Sequence, residues 1–174
     1  MNLDRAHLEA LGEAFELEVL NLLRMKYPNG RFFHNVELYS AYLGKDTQID
    51  LMMLTDNGVY VIEAKNWVGF IRGTYNDKYW QGRSRSQNTM QVFSPINQND
   101  IHIRALRNAL RCNGVNPPIF SSIVVVPDGT AIQSNCAEVI NKSKLLVKIN
   151  SMERDSKIKI DKVALYNAIN NVVK

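Results

Sequence analysis

Residues Gln48 to Trp67, QIDLMMLTDNGVYVIEAKNW, read as two short strands joined by a tight turn. Ile, Leu, Met, Val and Tyr dominate 49–54 and 59–65, and Thr55-Asp56-Asn57-Gly58 between them holds the Asn-Gly pair that favours positive φ in a hairpin turn. A loop of two or four residues sets Asp50 across from Lys65 or across from Glu63. Opposed residues point the same way and Glu63 and Lys65 lie two apart, so either register gathers three ionic side chains on one face. An odd-numbered loop would send Asp50 to the other face.

Two carboxylates close together on an apolar hairpin repel, and desolvation adds to the cost. A divalent cation removes the conflict: Mg²⁺ takes oxygen ligands and keeps several waters, so one or two carboxylates and a substrate phosphate complete its shell. An ammonium beside them can orient an attacking water or offset charge growing on the phosphorus oxygens. The competing reading makes Asp50 a strand end in solvent and Glu63 with Lys65 an exposed edge pair, which contributes little to stability.

An aspartate followed about a dozen residues later by Glu-x-Lys, here Asp50 and Glu63-Ala64-Lys65, resembles the PD-(D/E)XK nuclease superfamily. The fuller set, Gln48-Ile49-Asp50, Gly58-Val59, Val61-Ile62-Glu63-Ala64-Lys65-Asn66-Trp67, Gly69 and Trp80, resembles its nuclease-related domain (NERD) branch, from Gly12 to about Leu110. The resemblance implies an α/β, restriction-endonuclease-like core: a central mixed β-sheet, made of an antiparallel meander plus a parallel strand after a crossover helix, flanked by helices. It also implies a metal-dependent nuclease that hydrolyses phosphodiester bonds of nucleic acid, DNA before RNA. Asp50 and Glu63, aided by the Ala64 carbonyl, would hold Mg²⁺ or Mn²⁺, and Lys65 would position the water or stabilise the pentavalent transition state. Glu16 would bind a second ion or an ordered water, while Gln48 and Gln98 orient the phosphate and the carboxylates. The second reading is a non-cleaving nucleic-acid-binding or regulatory module, since retained residue types are not activity.

Upstream, residues 2–26 form a helix with Asn2 as cap and Leu8, Leu11, Phe15, Val19 and Leu22 at helical spacing. Glu16 borders that stripe, and Gly12-x-x-x-Glu16-x-x-Val19 resembles the opening helix of NERD domains, whose glutamate lies at the metal site. Phe15 stands where the family usually has a second glycine, so Glu13 is held in reserve. Arg31 to Leu38 alternates as a strand and 39–47 reads as a loop. His34, without a partner, reads as structural.

Downstream, Phe70 to Tyr75 would extend the meander by one more antiparallel strand. Trp80 to Gln91 is polar, with Arg83 and Arg85 beside Tyr79 and Trp80; such interleaving suits phosphate contact and base stacking. Asn66 joins Arg83, Arg85 and Trp80 as the nucleic-acid contact set. A solvated loop anchored by a buried Trp80 fits the same stretch. Ser94-Pro95 opens a helix to about Arg111, with Gln98 and His102 one turn apart, and by resemblance Gln98 faces the active site. The apolar run Ile119–Val126 fits a central strand covered on both faces and joined in parallel after the right-handed crossover. Two short strands, Ala137–Ile140 and Leu145–Ile149, and a last helix capped by Asp161 complete the chain.

A chain of 174 residues with 45% apolar composition suits one domain, 1–174, with the motif-bearing core at about 8–127 and 128–174 completing it. Net charge of +4 suits a polyanionic partner. Cys112 and Cys136 lack zinc-knuckle spacing and read as buried free thiols. Asp4 and Glu9 interrupt any signal-peptide core and no apolar run reaches about 18 residues, so a cytoplasmic protein without membrane contact is expected. Neither a P-loop nor a G-x-G-x-x-G is present, which leaves nucleotide-binding enzymes unsupported. Small nucleases of the resembled superfamily often dimerise, so a homodimer is admitted.

Overall fold

The computed structural model describes residues 3–83 and 89–174. Among these residues four α-helices, α1 (Leu3–Lys26), α2 (Pro95–Cys112), α3 (Leu145–Asp155) and α4 (Lys162–Asn170), pack around nine strands. The strands are β1 (Arg31–Ser40), β2 (Lys45–Leu54), β3 (Val59–Ala64), β4 (Phe70–Arg72), β5 (Tyr79–Arg83), β6 (Thr89–Phe93), β7 (Phe120–Val126), β8 (Ala131–Gln133) and β9 (Val139–Asn141). The main sheet runs β1-β2-β3-β7-β9. Its first three strands form an antiparallel meander, and β7 and then β9 join in parallel. This is the mixed sheet with a parallel strand after helix α2, flanked by helices, that the sequence implies.

The layers follow from period-two alternation. Val59 and Val61 share a core with Ile103 and Leu106 of α2 and Leu165 and Ile169 of α4. Tyr60, Ile62 and Ala64 share another with Phe15, Val19 and Leu20 of α1 and Leu145 and Ile149 of α3. Helices therefore cover both faces of the central strands, which is why β3 and β7 carry nearly unbroken apolar runs.

The β2–β3 hairpin adopts the four-residue register: Leu54 faces Val59 and Leu51 faces Ile62. The positive φ expected at Asn57-Gly58 is absent; among the described residues it occurs at Asn35, Gly44, Gly69 and Gly114. Gly58 is required for a different reason, since a Cβ there would come within 2.7 Å of the Tyr60 hydroxyl. The turn is held instead by Thr55, whose Oγ1 accepts from the Asn57 and Gly58 amides at 3.1 and 3.0 Å. Glu153 of α3 then accepts from Thr55 Oγ1, Asn57 Nδ2 and the Tyr60 hydroxyl at 2.6, 3.0 and 2.5 Å. A residue nearly a hundred positions away thus stabilises the turn that fixes the register of the acidic pair.

Elsewhere the structure corrects local expectations. Positions 39–47 are not one loop: β1 and β2 stay paired through Ser40 and Lys45, leaving only 41–44 as turn, because backbone pairing continues where side-chain alternation fades. Phe70–Arg72 does not extend the meander but joins a second sheet, β6-β5-β4-β8. Leu145–Ile149 is helical rather than extended. Leu145 and Ile149, one helical turn apart, are buried while Val147 is 70% exposed, a pattern that a strand could not produce. The two cysteines are free, but only Cys136 is buried. Ser94 and Asp161 cap α2 and α4 as expected, accepting from the Asn97 amide and from the Val163 and Ala164 amides. Among the described residues no helix is long and apolar enough to cross a membrane.

Candidate active site

Regular pairing between β2 and β3 ends at Leu51 and Ile62, so the next facing positions, Asp50 and Glu63, lie where the ladder opens. Asp50 Oδ2 accepts from the Ala64 amide at 2.9 Å, supplying a partner to a backbone group the ladder has released. The same level is irregular on the β1 side. His34 pairs with Leu51 and Val36 with Ile49, but Asn35 between them has φ of 51°. Phe33 and Val36 both pack on the α2-side core, as do Met52 and Ile49, so alternation slips in both strands at 34–35 and 50–51. Asparagine tolerates the left-handed region that this slip needs. The outcome is a split in the sheet with an aspartate at its mouth.

Glu63 occupies the α2 side of β3 with no exposed surface. Its Oε1 lies 2.5 Å from Lys65 Nζ and its Oε2 3.3 Å from His102 Nδ1. Neither approach is aligned as a hydrogen bond, so both buried oxygens are left without a satisfying partner. On the α1 side, Glu16 Oε2 lies 3.4 Å from His34 Nε2, and these two buried atoms are unsatisfied as well.

These contacts set the protonation. Burial pushes Glu63 up to about 8, with the Asp50 charge adding to it and the Lys65 ammonium opposing it. The short Lys65 contact alone would hold this carboxyl low, but full desolvation outweighs it. Burial also raises Asp50, against the pull of Lys65 and the Ala64 amide, and raises Glu16, with the Asp50 charge adding. Burial works against the Lys65 ammonium, yet Glu63, Asp50 and Glu16 together hold it above the ordinary lysine range. His102 is lowered to about 4, by burial first and Lys65 second, so its approach to Glu63 is that of a neutral imidazole. Three carboxyls and one ammonium leave a surplus of negative charge that a shared proton or a cation must balance.

A cleft of about 430 Å³ opens onto this group, lined by Gly12, Glu13 and Glu16 of α1, Asn35, Gln48, and the run Ala64-Lys65-Asn66-Trp67. Glu16 rather than Glu13 reaches inward: Glu13 is exposed, whereas Glu16 is mostly buried and couples electrostatically to Asp50 and Lys65. The structure therefore brings together Glu16, Asp50, Glu63, Ala64, Lys65 and Gln48.

It does not bring Gln98 into that cleft. Gln98 lines a separate cavity of about 240 Å³ with Thr47, Phe93 and His102. Trp80 is 1% exposed, donates from Nε1 to the Thr74 carbonyl at 3.1 Å and fills the space over Gly73, so it is an anchor of the second sheet and not a stacking platform. Asn66 lines the cleft, but its amide donates to the Leu11 carbonyl at 2.6 Å and ties α1 to the end of β3. Arg83 is exposed, with its stem against Gly69. Arg85 lies outside the described residues.

Sequence reasoning missed His34, Asn35, His102 and Asn99. His102 has only the Gln98 amide one helical turn away and His34 has no such partner, and an asparagine with positive φ leaves no pattern in a strand. Asn99 is fully buried and donates to the carbonyls of Val61 and Ile123 at 2.8 and 3.3 Å and to Ser122 Oγ at 2.9 Å. The available signal was helical spacing, which puts Asn99 and His102 on one face.

The donors suit a hard divalent cation. Among the described residues no three His, Cys, Asp or Glu side chains form a ready-made cage. What exists is the Glu63 carboxyl, with both oxygens unsatisfied, next to Asp50 and Ala64, enough for an ion that retains several waters. Among the described residues that line the cleft, Glu13 and Glu16 stand beside the cation Lys65.

A protein of Bacillus anthracis described as uncharacterized is 37% identical over 97 residues, which covers 55% of this chain and 44% of that relative. The chain thus spans less than half the length of this relative. No solved structure matches the chain. The family model described as nuclease-related domain matches residues 11–127, which take in α1 from Leu11 onward, the split hairpin, α2 and β7, and the chain therefore belongs to the nuclease-related domain family.

Proposed function

We propose that the chain is a metal-dependent nuclease that hydrolyses phosphodiester bonds, with DNA as the substrate. The observation that carries this reading is the fully buried, unsatisfied Glu63 carboxyl beside Asp50 and Lys65, directly behind a cleft that Glu16, Ala64 and Lys65 line. A purely structural role would leave two buried acids sharing the Lys65 ammonium, with one charge uncompensated, which costs stability without return.

Asp50, Glu63 and the Ala64 carbonyl are the groups that would hold Mg²⁺ or Mn²⁺. When bound, such an ion supplies Lewis acidity to a water and to a phosphate oxygen. The remaining work falls to the chain. Lys65, its ammonium kept charged by its acidic neighbours, faces the scissile phosphate and offsets the charge that grows there. Glu16, paired with His34 across the cleft wall, holds a water or accepts its proton. Gln48, two residues before Asp50, lends its amide to a phosphate oxygen. Arg83 and the neighbouring Arg85 extend contact to the backbone of the nucleic acid.

The test is cleavage of single- and double-stranded DNA and RNA by purified protein with Mg²⁺ or Mn²⁺, beside Asp50→Ala and Lys65→Ala. Cleavage that a chelator and both substitutions abolish supports the nuclease. Tight binding without cleavage in either metal would replace it with a non-cleaving binding module.

A further inference from the structure

Glu63 needs more than a covalent tether to meet a ligand at a fixed angle, and the groups behind it are those of α2. Asn99 inserts its amide between β3 and β7, reaching the Val61 and Ile123 carbonyls and Ser122 Oγ, and so locks the helix to the two strands that carry the site. One helical turn later, His102 is 2% exposed with Nδ1 3.3 Å from Glu63 Oε2, on the side away from Lys65 Nζ. His102 lines the separate cavity shared with Gln98, Thr47 and Phe93 and does not line the substrate cleft. It is therefore placed to act through Glu63 and not on a substrate.

We propose that His102 is a positioning residue for Glu63: Nδ1 and Oε2, 3.3 Å apart and each otherwise unsatisfied, come into line as donor and acceptor when the carboxylate takes up a cation, leaving Oε1 on the Lys65 side. An ionised carboxylate only accepts, so it needs a donor on its buried side. Hydrogen-bond partners of metal-ligating groups characteristically tune metal affinity by roughly 10–100-fold. The proposal rests on the reading of Glu63 as a metal ligand.

The experiment is Mn²⁺ titration of the metal-free protein by calorimetry, with Glu63→Ala, His102→Ala, His102→Asn and His102→Gln beside the native chain. Circular dichroism of each variant verifies folding. Asparagine places an amide N–H near the Nδ1 position, and glutamine places one near Nε2. The expected result is roughly 10-fold or greater weakening of Mn²⁺ binding in His102→Ala and His102→Gln, with affinity largely restored in His102→Asn. Native affinity in His102→Ala, with binding lost in Glu63→Ala, would overturn the positioning role while leaving the ligand role intact. Unchanged Mn²⁺ binding in Glu63→Ala would overturn the ligand reading and the positioning role with it. Should His102→Ala fail to fold, equal affinities of His102→Asn and His102→Gln overturn the positioning role on their own.

Discussion

Replacing Glu63 by glutamine should make the metal-free protein more stable while removing its proposed chemistry. Glutamine keeps the shape of a protonated carboxyl and cannot ionise. The Glu63 proton affinity rises from an ordinary 4.5 to about 8 through burial and the Asp50 charge. At pH 7 the native carboxyl therefore stays protonated in the folded state, whereas the unfolded chain gains by ionising it. That difference is about 2.5 pH units, or about 3 kcal/mol at 1.36 kcal/mol per unit. Glu63 is uncharged on both sides of this comparison, so Lys65 keeps the attraction of Asp50 and Glu16; with about 1 kcal/mol set against repacking the amide beside Lys65 and His102, the net gain is about 2 kcal/mol. For a domain of this size that corresponds to roughly 4–8 °C in Tm. Differential scanning calorimetry in chelator at pH 7 measures it. Added Mg²⁺ should then raise Tm of the native chain and not of Glu63→Gln. A Glu63→Gln protein that melts at or below the native temperature in chelator would refute this electrostatic account.

The stability of the metal-free protein should fall as pH rises from about 6.5 to about 8, because over that interval the folded state holds a proton on Glu63 that the unfolded chain releases. Below about 6.5 the lowered His102 opposes this trend, since the unfolded chain binds a proton there that the folded state refuses until pH nears about 4. Denaturant midpoints across pH show the fall, and Glu63→Gln should flatten it above 6.5. Trp80→Ala should cost about 3–5 kcal/mol of stability by opening a cavity under the second sheet. Nucleic-acid affinity of the folded fraction, read by fluorescence anisotropy, should stay near native; a large selective loss would restore Trp80 as a base contact. Glu153→Ala removes the acceptor of three hydrogen bonds at the hairpin turn, and urea unfolding should show a loss of about 2–3 kcal/mol.

Local reasoning reached the hairpin, the parallel strand after α2 and both helix caps because each rests on a short-range rule: alternation, apolar runs, Ser-Pro and Asp at helix starts. It also placed Asp50, Glu63 and Lys65 together, since register follows from loop length. It failed where distant parts of the chain decide the outcome. Leu145–Ile149 has β-branched residues but packs through Leu145 and Ile149 one helical turn apart, so tertiary burial selected the helix. Gln98 was preferred to its neighbour Asn99 because one residue of helical rotation, about a hundred degrees, is invisible without the sheet below it. Histidines 34 and 102 were passed over because their carboxylate partners sit 18 and 39 positions away in the sequence. Trp80 illustrates the converse: a Trp beside arginines suggests stacking until its burial over Gly73 is seen.

The most direct measurement is anomalous diffraction from crystals of the native chain soaked in Mn²⁺. The account predicts a peak at the mouth of the split hairpin, within about 2.0–2.3 Å of carboxylate oxygens of both Asp50 and Glu63 and absent from Asp50→Ala crystals. Fully soaked crystals with no peak there, or with Mn²⁺ bound away from both carboxylates, would contradict it.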